Sequence, residues 1–192
     1  MKANFNSYSS WNAYLAGLVA LAYAVSFVIL KDQLWSALFL MLGGAFALPV
    51  VLALYSKLKE VDQNFALLAL ILGIAGSLGA LVHGGYDLAN VLNPPATVED
   101  LPFAVNPRGL LSFGVMGAAI LKFSWLMKRG RAFPNNLAWL GALSGALLVL
   151  IYLARLIVLN PTSPLLLYPV LIEGFIVNPL WYIWLGSTLS KR

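Results

Sequence analysis

The sequence contains no cysteine and only one histidine among its 192 residues. The absence of cysteine excludes disulfide bonds, thiolate metal ligands and a cysteine nucleophile. A single histidine cannot supply both axial ligands of a bis-histidine haem, and no group of residues has the spacing of a metal site. The chain also lacks a Walker loop, a Gly-x-Ser-x-Gly motif and a dinucleotide-binding glycine fingerprint. We therefore expect no cofactor.

Charged residues are also scarce, at 10% of the chain, whereas 61% of the residues are hydrophobic. An ordinary soluble domain is about a quarter charged and about half apolar, so this composition excludes a water-soluble globule. A membrane-spanning helix needs about 20 consecutive, mainly apolar residues. The sequence predicts an all-α, polytopic integral membrane helix bundle in which residues 1–192 form one six-span domain. The six apolar windows are residues 11–30, 34–55, 65–92, 109–127, 137–159 and 165–189.

The basic residues predict the orientation of these spans, because cytoplasmic connections carry an excess of Lys and Arg. The side that lacks both termini has Lys31, Arg108 and, near the end of the fifth span, Arg155. We therefore predict a multi-pass protein of a bacterial inner membrane with both termini in the cytoplasm. The net charge of +5 reports this topology, and no nucleic-acid partner is expected. The basic residues on the predicted cytoplasmic side are Lys2, Lys57, Lys59, Lys128, Arg129, Arg131, Lys191 and Arg192.

The third window has 28 residues, which as a helix measures about 42 Å and exceeds a hydrocarbon thickness of about 30 Å. The pair Gly84-Gly85 is its weak point, since glycine has a high entropic cost inside a helix. We expect this span to tilt, to break or to protrude, and residues 83–92 could form an extension at the outer interface.

The sixth window contains two unusual features. Asn178-Pro179 lies inside it, and the proline leaves the carbonyl of Phe175 without its helical donor, so we predict a kink near the middle of the membrane. Glu173 lies eight residues below the outer end of the window, roughly 12 Å, which is too deep for its short side chain to reach the interface. Glu173 therefore needs a partner or a proton.

Two further helix faces carry polar groups toward the outer side. Tyr152 and Arg155 continue a stripe that begins with Gly141 and Gly145, a pair that favours close helix contact, so Arg155 is expected to face protein. His83 and Asp87 are four residues apart and are expected to interact on one face of the third span. Lys122 lies close enough to the cytoplasmic end of its span to snorkel.

These residues suggest an outward-opening polar pocket among the third, fifth and sixth spans. The connection at residues 93–108, with Glu99, Asp100 and Arg108, would cover it. The pocket would bind a lipid-like or small amphipathic ligand, with Arg155 holding an anionic head group. Arg155 and Glu173 could equally form a purely structural ion pair between neighbouring helices. The candidate ligand-binding or ion-pair residues are His83, Asp87, Tyr152, Arg155, Glu173 and Asn178.

Three classes of function fit this pattern. The first is a non-catalytic membrane protein that binds such a ligand or serves as a subunit of a membrane assembly. The second is a small proton-coupled transporter that uses Glu173 in a kinked sixth helix. The third and least favoured is an intramembrane enzyme in which Asp87 orients His83 as a base. Membrane lipids are the expected partners, and the small-residue stripes also suggest a homo-oligomer or a larger membrane complex.

Overall fold

The computed structural model describes residues 2–93, 106–157 and 163–190, with side chains from residue 5 in the first range and from residue 112 in the second. These residues form six helices, and no strand occurs among them. The helices are α1 (Lys2–Ala24, continued by a π-helical segment, Val25–Leu30), α2 (Gln33–Leu58), α3 (Gln63–Leu92), α4 (Asn106–Gly130), α5 (Asn135–Ile157) and α6 (Pro164–Ser190). A second π-helical segment, Glu173–Val177, divides α6 into Pro164–Ile172 and Asn178–Ser190.

Five of these helices, α1, α2, α3, α5 and α6, are long and apolar enough to cross a membrane. The prediction of a helical bundle with membrane-compatible helices is therefore confirmed. The described side chains of α4 include Lys122, Lys128 and Arg129, and α4 is not one of the five. Glu99, Asp100 and the Arg108 side chain lie outside the described part of the chain.

The helices form a closed ring, because each packs against the next along the sequence and α6 packs back against α1. Neighbours run antiparallel. We call the end with the α1–α2, α3–α4 and α5–α6 connections the distal end, and the end with both chain termini the terminal end.

Aspartate side chains begin two of the helices. Asp32 accepts a hydrogen bond from the backbone N–H of Trp35 at 3.1 Å at the start of α2, and Asp62 accepts one from Phe65 at 3.2 Å at the start of α3. Each satisfies a backbone donor that has no partner within the first turn of the helix. These caps fix where the chain reverses direction.

The α4–α5 contact explains the small-residue stripe of the fifth span. A Cβ atom added to Gly117 would lie 2.7 Å from the carbonyl oxygen of Gly145, and one added to Gly145 would lie 2.7 Å from that of Gly117. The two backbones meet at a distance that only glycine permits. The small residues of this stripe pack against α4 of the same chain. They therefore do not support the predicted self-association, which stays a prediction.

Of the three alternatives for this span, the break at Gly84-Gly85 does not occur, because α3 is one continuous helix from Gln63 to Leu92. A Cβ on Gly84 would lie 2.5 Å from the backbone nitrogen of Met41 on α2, whereas one on Gly85 would be 3.7 Å from the Met41 sulfur. Gly84 thus permits close approach of α2 and α3. The entropic cost of the glycine is offset by packing that the sequence pattern of a single helix does not show.

The terminal half of the bundle is filled by tightly packed apolar side chains from α2, α4, α5 and α6. Its largest members are each less than 2% exposed to solvent. Interiors of this kind have few voids larger than a water molecule, so the terminal half is closed. The large, fully buried side chains of the terminal half are Leu54, Leu58, Phe123, Leu126, Met127, Leu137, Leu185 and Leu189.

Basic side chains near the terminal end lie over aromatic rings. Lys122 Nζ is 5.8 Å from the ring centre of Phe65, and Lys128 Nζ is 3.5 Å from that of Trp139. Phe65 belongs to the first turn of α3 and Trp139 to the first turns of α5, at the same end of the bundle. Lys122 therefore extends toward this end, as a snorkelling lysine does.

Candidate ligand-binding site

A cavity of about 190 Å³ lies in the distal half of the ring, and residues of all six helices line it. Its walls include Ser112 from the described beginning of α4, Ile151 from the last turns of α5 and Glu173 from α6. The sequence predicts an outward-opening pocket among the third, fifth and sixth spans. This cavity is instead lined by residues of the whole ring.

The cavity wall is largely apolar and rich in aromatic side chains. Small lining residues of α1, α2 and α3, such as Ala20, Gly43 and Ala80, make room for the cavity, and aromatic side chains form much of the rest of its wall. Apolar cavities of this sort accommodate hydrocarbon or ring systems and bind them by removing apolar surface from water. The lining aromatic residues are Tyr23, Phe27, Phe39, Phe113 and Tyr182.

Glu173 is the charged residue of this wall, and its side chain is held by two neighbours. Ser144 Oγ of α5 donates a hydrogen bond of 2.5 Å to Glu173 Oε1, and Asn178 Nδ2 donates one of 3.1 Å to the same oxygen. Asn178 Nδ2 also lies 3.4 Å from Ser144 Oγ. Glu173 as a whole is 3% exposed. The three side chains form a small polar network between α5 and α6.

The second carboxyl oxygen of Glu173 is buried and has no hydrogen-bond partner among the described residues. Ser77 Oγ of α3, which also belongs to a lining residue, is buried and unpartnered within the same part of the chain. Buried polar atoms in proteins are nearly always hydrogen-bonded, so such exceptions require an explanation. Two of the four such atoms in the described part of the chain therefore belong to residues that line this one cavity.

The backbone of α6 explains why Glu173 and Asn178 meet. The N–H of Asn178 bonds to the carbonyl of Glu173, five residues earlier, and this widened turn is the π-helical segment. Pro179 follows at once and has no N–H to donate to Phe175. A π-helical turn, a feature frequent at functional sites, thus directly precedes the Asn178-Pro179 pair at which the sequence predicts a kink.

The predicted ion pair of Arg155 with Glu173 is not formed within the described part of the chain, where Glu173 is bonded by Ser144 and Asn178 instead. Ser144 was missed by sequence reasoning. It lies one residue before Gly145, beside the stripe and facing α6, but a serine inside an apolar helix carries no charge to draw attention. Arg155 lies about three turns from Ser144 toward the distal end, and the cavity-lining residues do not include it.

Tyr152 packs against α4 and is likewise not a lining residue. A Cβ atom on Gly114 would lie 2.6 Å from Cδ1 of the Tyr152 ring, so the glycine makes room for the ring. Tyr152 therefore contributes to the α4–α5 contact. No described contact places it with Glu173.

His83 and Asp87 are brought together as their spacing predicts. His83 Nε2 lies 3.3 Å from Asp87 Oδ2, with 18% of the histidine and 39% of the aspartate side chain exposed. Gly76 and Ala80 of α3 line the cavity. On the same face of α3, His83 lies about one turn and Asp87 about two turns beyond Ala80, toward the distal end. The pair is not part of the cavity wall. A group of metal-binding side chains is not found in the described ranges.

No protein family, curated protein or solved structure matches this chain. The candidate site therefore has to be interpreted from its own geometry.

Proposed function

We propose that this chain is an integral membrane protein whose distal cavity binds a membrane-dissolved amphiphile. The apolar body of the ligand would lie among the aromatic side chains, and its polar head would bond Glu173 Oε2. The buried, unpartnered oxygen of Glu173 in an otherwise apolar cavity carries this proposal. Such a site has the usual composition of a small-molecule pocket, which is mainly apolar with a few placed polar groups.

The chemistry of the wall favours a head group that donates hydrogen bonds. The lining residues include one carboxylate and no Lys or Arg. An anionic head would meet an acidic side chain in an apolar environment, where unpaired charge is strongly unfavourable. A hydroxyl or an ammonium group would instead donate to Glu173 Oε2, and an ammonium group would also gain from nearby aromatic faces. This replaces the anionic head that the sequence suggested for Arg155.

The closed terminal half favours binding over passage through the bundle. A carrier needs a polar path through both halves of the membrane, and here the packed apolar side chains of the terminal half interrupt it. Transport is a second candidate because α6 is broken beside Glu173 by a π turn, between Pro169 and Pro179, and broken helices form many transport sites. Uptake of the same probe by proteoliposomes, in excess of its binding, would favour the carrier.

Trp181 offers a reporter for ligand in the cavity. Its ring is 4.8 Å from that of the lining residue Tyr182 and is 1% exposed, so lipid chains at the protein surface do not reach it. Bromine atoms quench tryptophan fluorescence only at short range. The other tryptophans are exposed and would be replaced by phenylalanine, which gives a single-tryptophan protein for reconstitution into nanodiscs. They are Trp11, Trp35, Trp125, Trp139 and Trp184.

We expect a long-chain amine or alcohol, brominated near its head, to quench Trp181 at lower concentration than the matched bromoalkane without a head. Glu173→Gln should weaken binding of the amine by about ten-fold or more, because a hydrogen bond to a charged partner is lost. Binding of the alcohol should change less, since glutamine still accepts a hydrogen bond. Equal quenching by all three probes in the wild-type background would contradict the proposal.

For the membrane arrangement we infer six crossings with both termini on the cytoplasmic side of a bacterial inner membrane. Lys57, Lys59, Lys128 and Arg129 lie at the terminal end, and Lys31 lies at the distal end, which fits the excess of positive charge in the cytoplasm.

Because the chain has no cysteine, single-cysteine variants test this orientation directly. We expect Lys31→Cys to react with a membrane-impermeant maleimide added to intact cells, and Lys59→Cys to react only after the cells are opened. The reverse pattern would show the opposite orientation, and reaction at both positions in intact cells would contradict an odd number of crossings between them.

A further inference from the structure

The two halves of α6 are held in different ways. Asn178–Ser190 packs along α1 and contributes Trp181, Leu185 and Leu189 to the main core. Pro164–Ile172 packs against α5, where Leu166 joins a small separate cluster. The distal half of α6 is therefore attached to the bundle by a limited set of contacts. Segments with few buried apolar contacts open at lower free energy than the core.

The contact between α1 and α6 reaches Ala24 and Gly174. A Cβ atom on Gly174 would lie 3.0 Å from the Cβ of Ala24. Beyond this point α1 continues as the π-helical segment Val25–Leu30, and the packing of α1 on α6 is concentrated on the π turn and on Asn178–Ser190. The last contact of α1 with α6 is thus followed by a π-helical segment on α1 and lies within one on α6.

Phe27 lies where the cavity meets the outside of the bundle. It lines the cavity and is nevertheless 57% exposed, so it lies at the boundary between the cavity and the outer surface of α1. That surface is apolar and would face lipid. The Phe27 ring stacks on the ring of Tyr23, with centroids 5.6 Å apart. Tyr23 lies one helical turn earlier in α1 and also lines the cavity.

We propose that the ligand enters the cavity laterally from the bilayer, between Val25–Leu30 of α1 and Pro164–Ile172 of α6. The inference rests on the proposed function and specifies its ligand as a long-chain amphiphile with a small hydrogen-bond-donating head. Phe27 covers the opening, and the π turn at Glu173–Val177 is the hinge about which the distal half of α6 moves. Glu173 is the first residue of that hinge, so head-group binding and gate position are coupled.

The size of the cavity supports lateral access. About 190 Å³ is below the roughly 300 to 1,000 Å³ typical of pockets that enclose a whole small molecule. A long-chain amphiphile would place its head and first carbons inside. A lateral opening lets the rest of the chain remain in the bilayer, where it is already soluble.

The first test compares Phe27→Ala with Ile29→Ala in the single-tryptophan protein, by the rate of Trp181 quenching with the brominated amine. Ile29 belongs to the same π segment and is similarly exposed, but it is not a lining residue. Removing a gate residue should raise the association rate by about five-fold or more, whatever the loss of the Phe27 ring does to the affinity. Ile29→Ala should leave the association rate unchanged.

An unchanged association rate in Phe27→Ala, or equal acceleration in Ile29→Ala, would overturn lateral access through this opening. If the unsubstituted single-tryptophan protein is not quenched preferentially by the amine or alcohol, the proposed function itself fails. The two failures are therefore distinguishable.

A second test cross-links the hinge of α6 to α1. The Cβ separation of 3.0 Å at Ala24 and Gly174 is about 0.5 Å below the short end of the range found in disulfides, so a small backbone shift allows the bond. Oxidised Ala24→Cys/Gly174→Cys protein should bind the amine at least about ten-fold more slowly than the same protein after reduction, because the π turn can no longer move against α1. Equal rates in the two states, with the cross-link verified by mass, would show that opening does not depend on the π turn.

Discussion

Replacing Gly84 by alanine should lower the free energy of unfolding by about 2 to 3 kcal/mol, the range found when a packed contact must take up extra volume. The added Cβ would meet backbone atoms of Met41 and Ala37 on α2 at 2.5 to 2.9 Å. Backbone of a packed helix cannot rotate away as a flexible side chain can. Reversible denaturation in mixed micelles, followed by circular dichroism, measures the loss.

The neighbouring glycine is the matched control. Gly85→Ala places its Cβ 3.7 Å from the flexible end of Met41, an ordinary contact, and alanine is the better helix former by about 1 kcal/mol. We expect Gly85→Ala to be neutral or stabilising. Equal destabilisation by the two substitutions would mean that the α2–α3 contact does not depend on the missing Cβ of Gly84.

The same contrast occurs on the facing helix. A Cβ on Gly44 would lie 2.5 Å from the carbonyl oxygen of Ser77, whereas one on Gly43 would be 3.8 Å from Val19. Gly44→Ala should therefore destabilise the protein and Gly43→Ala should not. The two glycine pairs test one interface from both sides.

Replacing Glu173 by methionine should abolish preferential binding of the amine and the alcohol while leaving the protein as stable as before, or about 1 kcal/mol more stable. A buried carboxylate with one unpartnered oxygen has a large desolvation penalty, and an apolar side chain of similar volume avoids it. Denaturation in mixed micelles and Trp181 quenching measure the two effects on the same sample.

This result would decide between the structural and the ligand-binding interpretations of Glu173. If Glu173 serves only to join α5 to α6, its removal should destabilise the protein by about 1 to 3 kcal/mol, because Ser144 and Asn178 lose their hydrogen-bond acceptor. Ser144→Ala supplies the control, because it removes one hydrogen bond from Glu173 Oε1 and should destabilise by about 1 to 2 kcal/mol. In the Glu173→Met background Ser144→Ala should have almost no further effect, because its partner is already absent. The double-mutant cycle then gives the interaction energy of the Ser144–Glu173 pair.

The two halves of the bundle have different physical properties, and the proposed function depends on the difference. The terminal half is filled by large apolar side chains and keeps the ring closed. In the distal half small residues leave a cavity, and the helix wall contains two π-helical segments. A rigid half thus supports a half with room for a ligand and for movement.

Much of the helical arrangement was predictable from the sequence, because apolar length is a property of consecutive residues. The structure extends α1 back to Lys2, well before the predicted start at Trp11, since a helix can continue beyond the hydrocarbon where side chains are polar. The contact of His83 with Asp87 and the irregularity before Pro179 were also predictable, because each depends on residues within two turns of one helix.

The sequence by itself determined an all-helical chain rich in apolar helices, and it singled out Glu173 as a carboxylate too deep to reach water. Only the tertiary structure decided that Ser144 and Asn178 bond it, that Gly84 is a contact point and not a break, and that all six helices enclose the cavity. The reason is physical. Depth along a helix follows from counting residues, but partners across helices depend on how every helix is rotated and how closely its neighbours approach, which the packing of the whole ring determines.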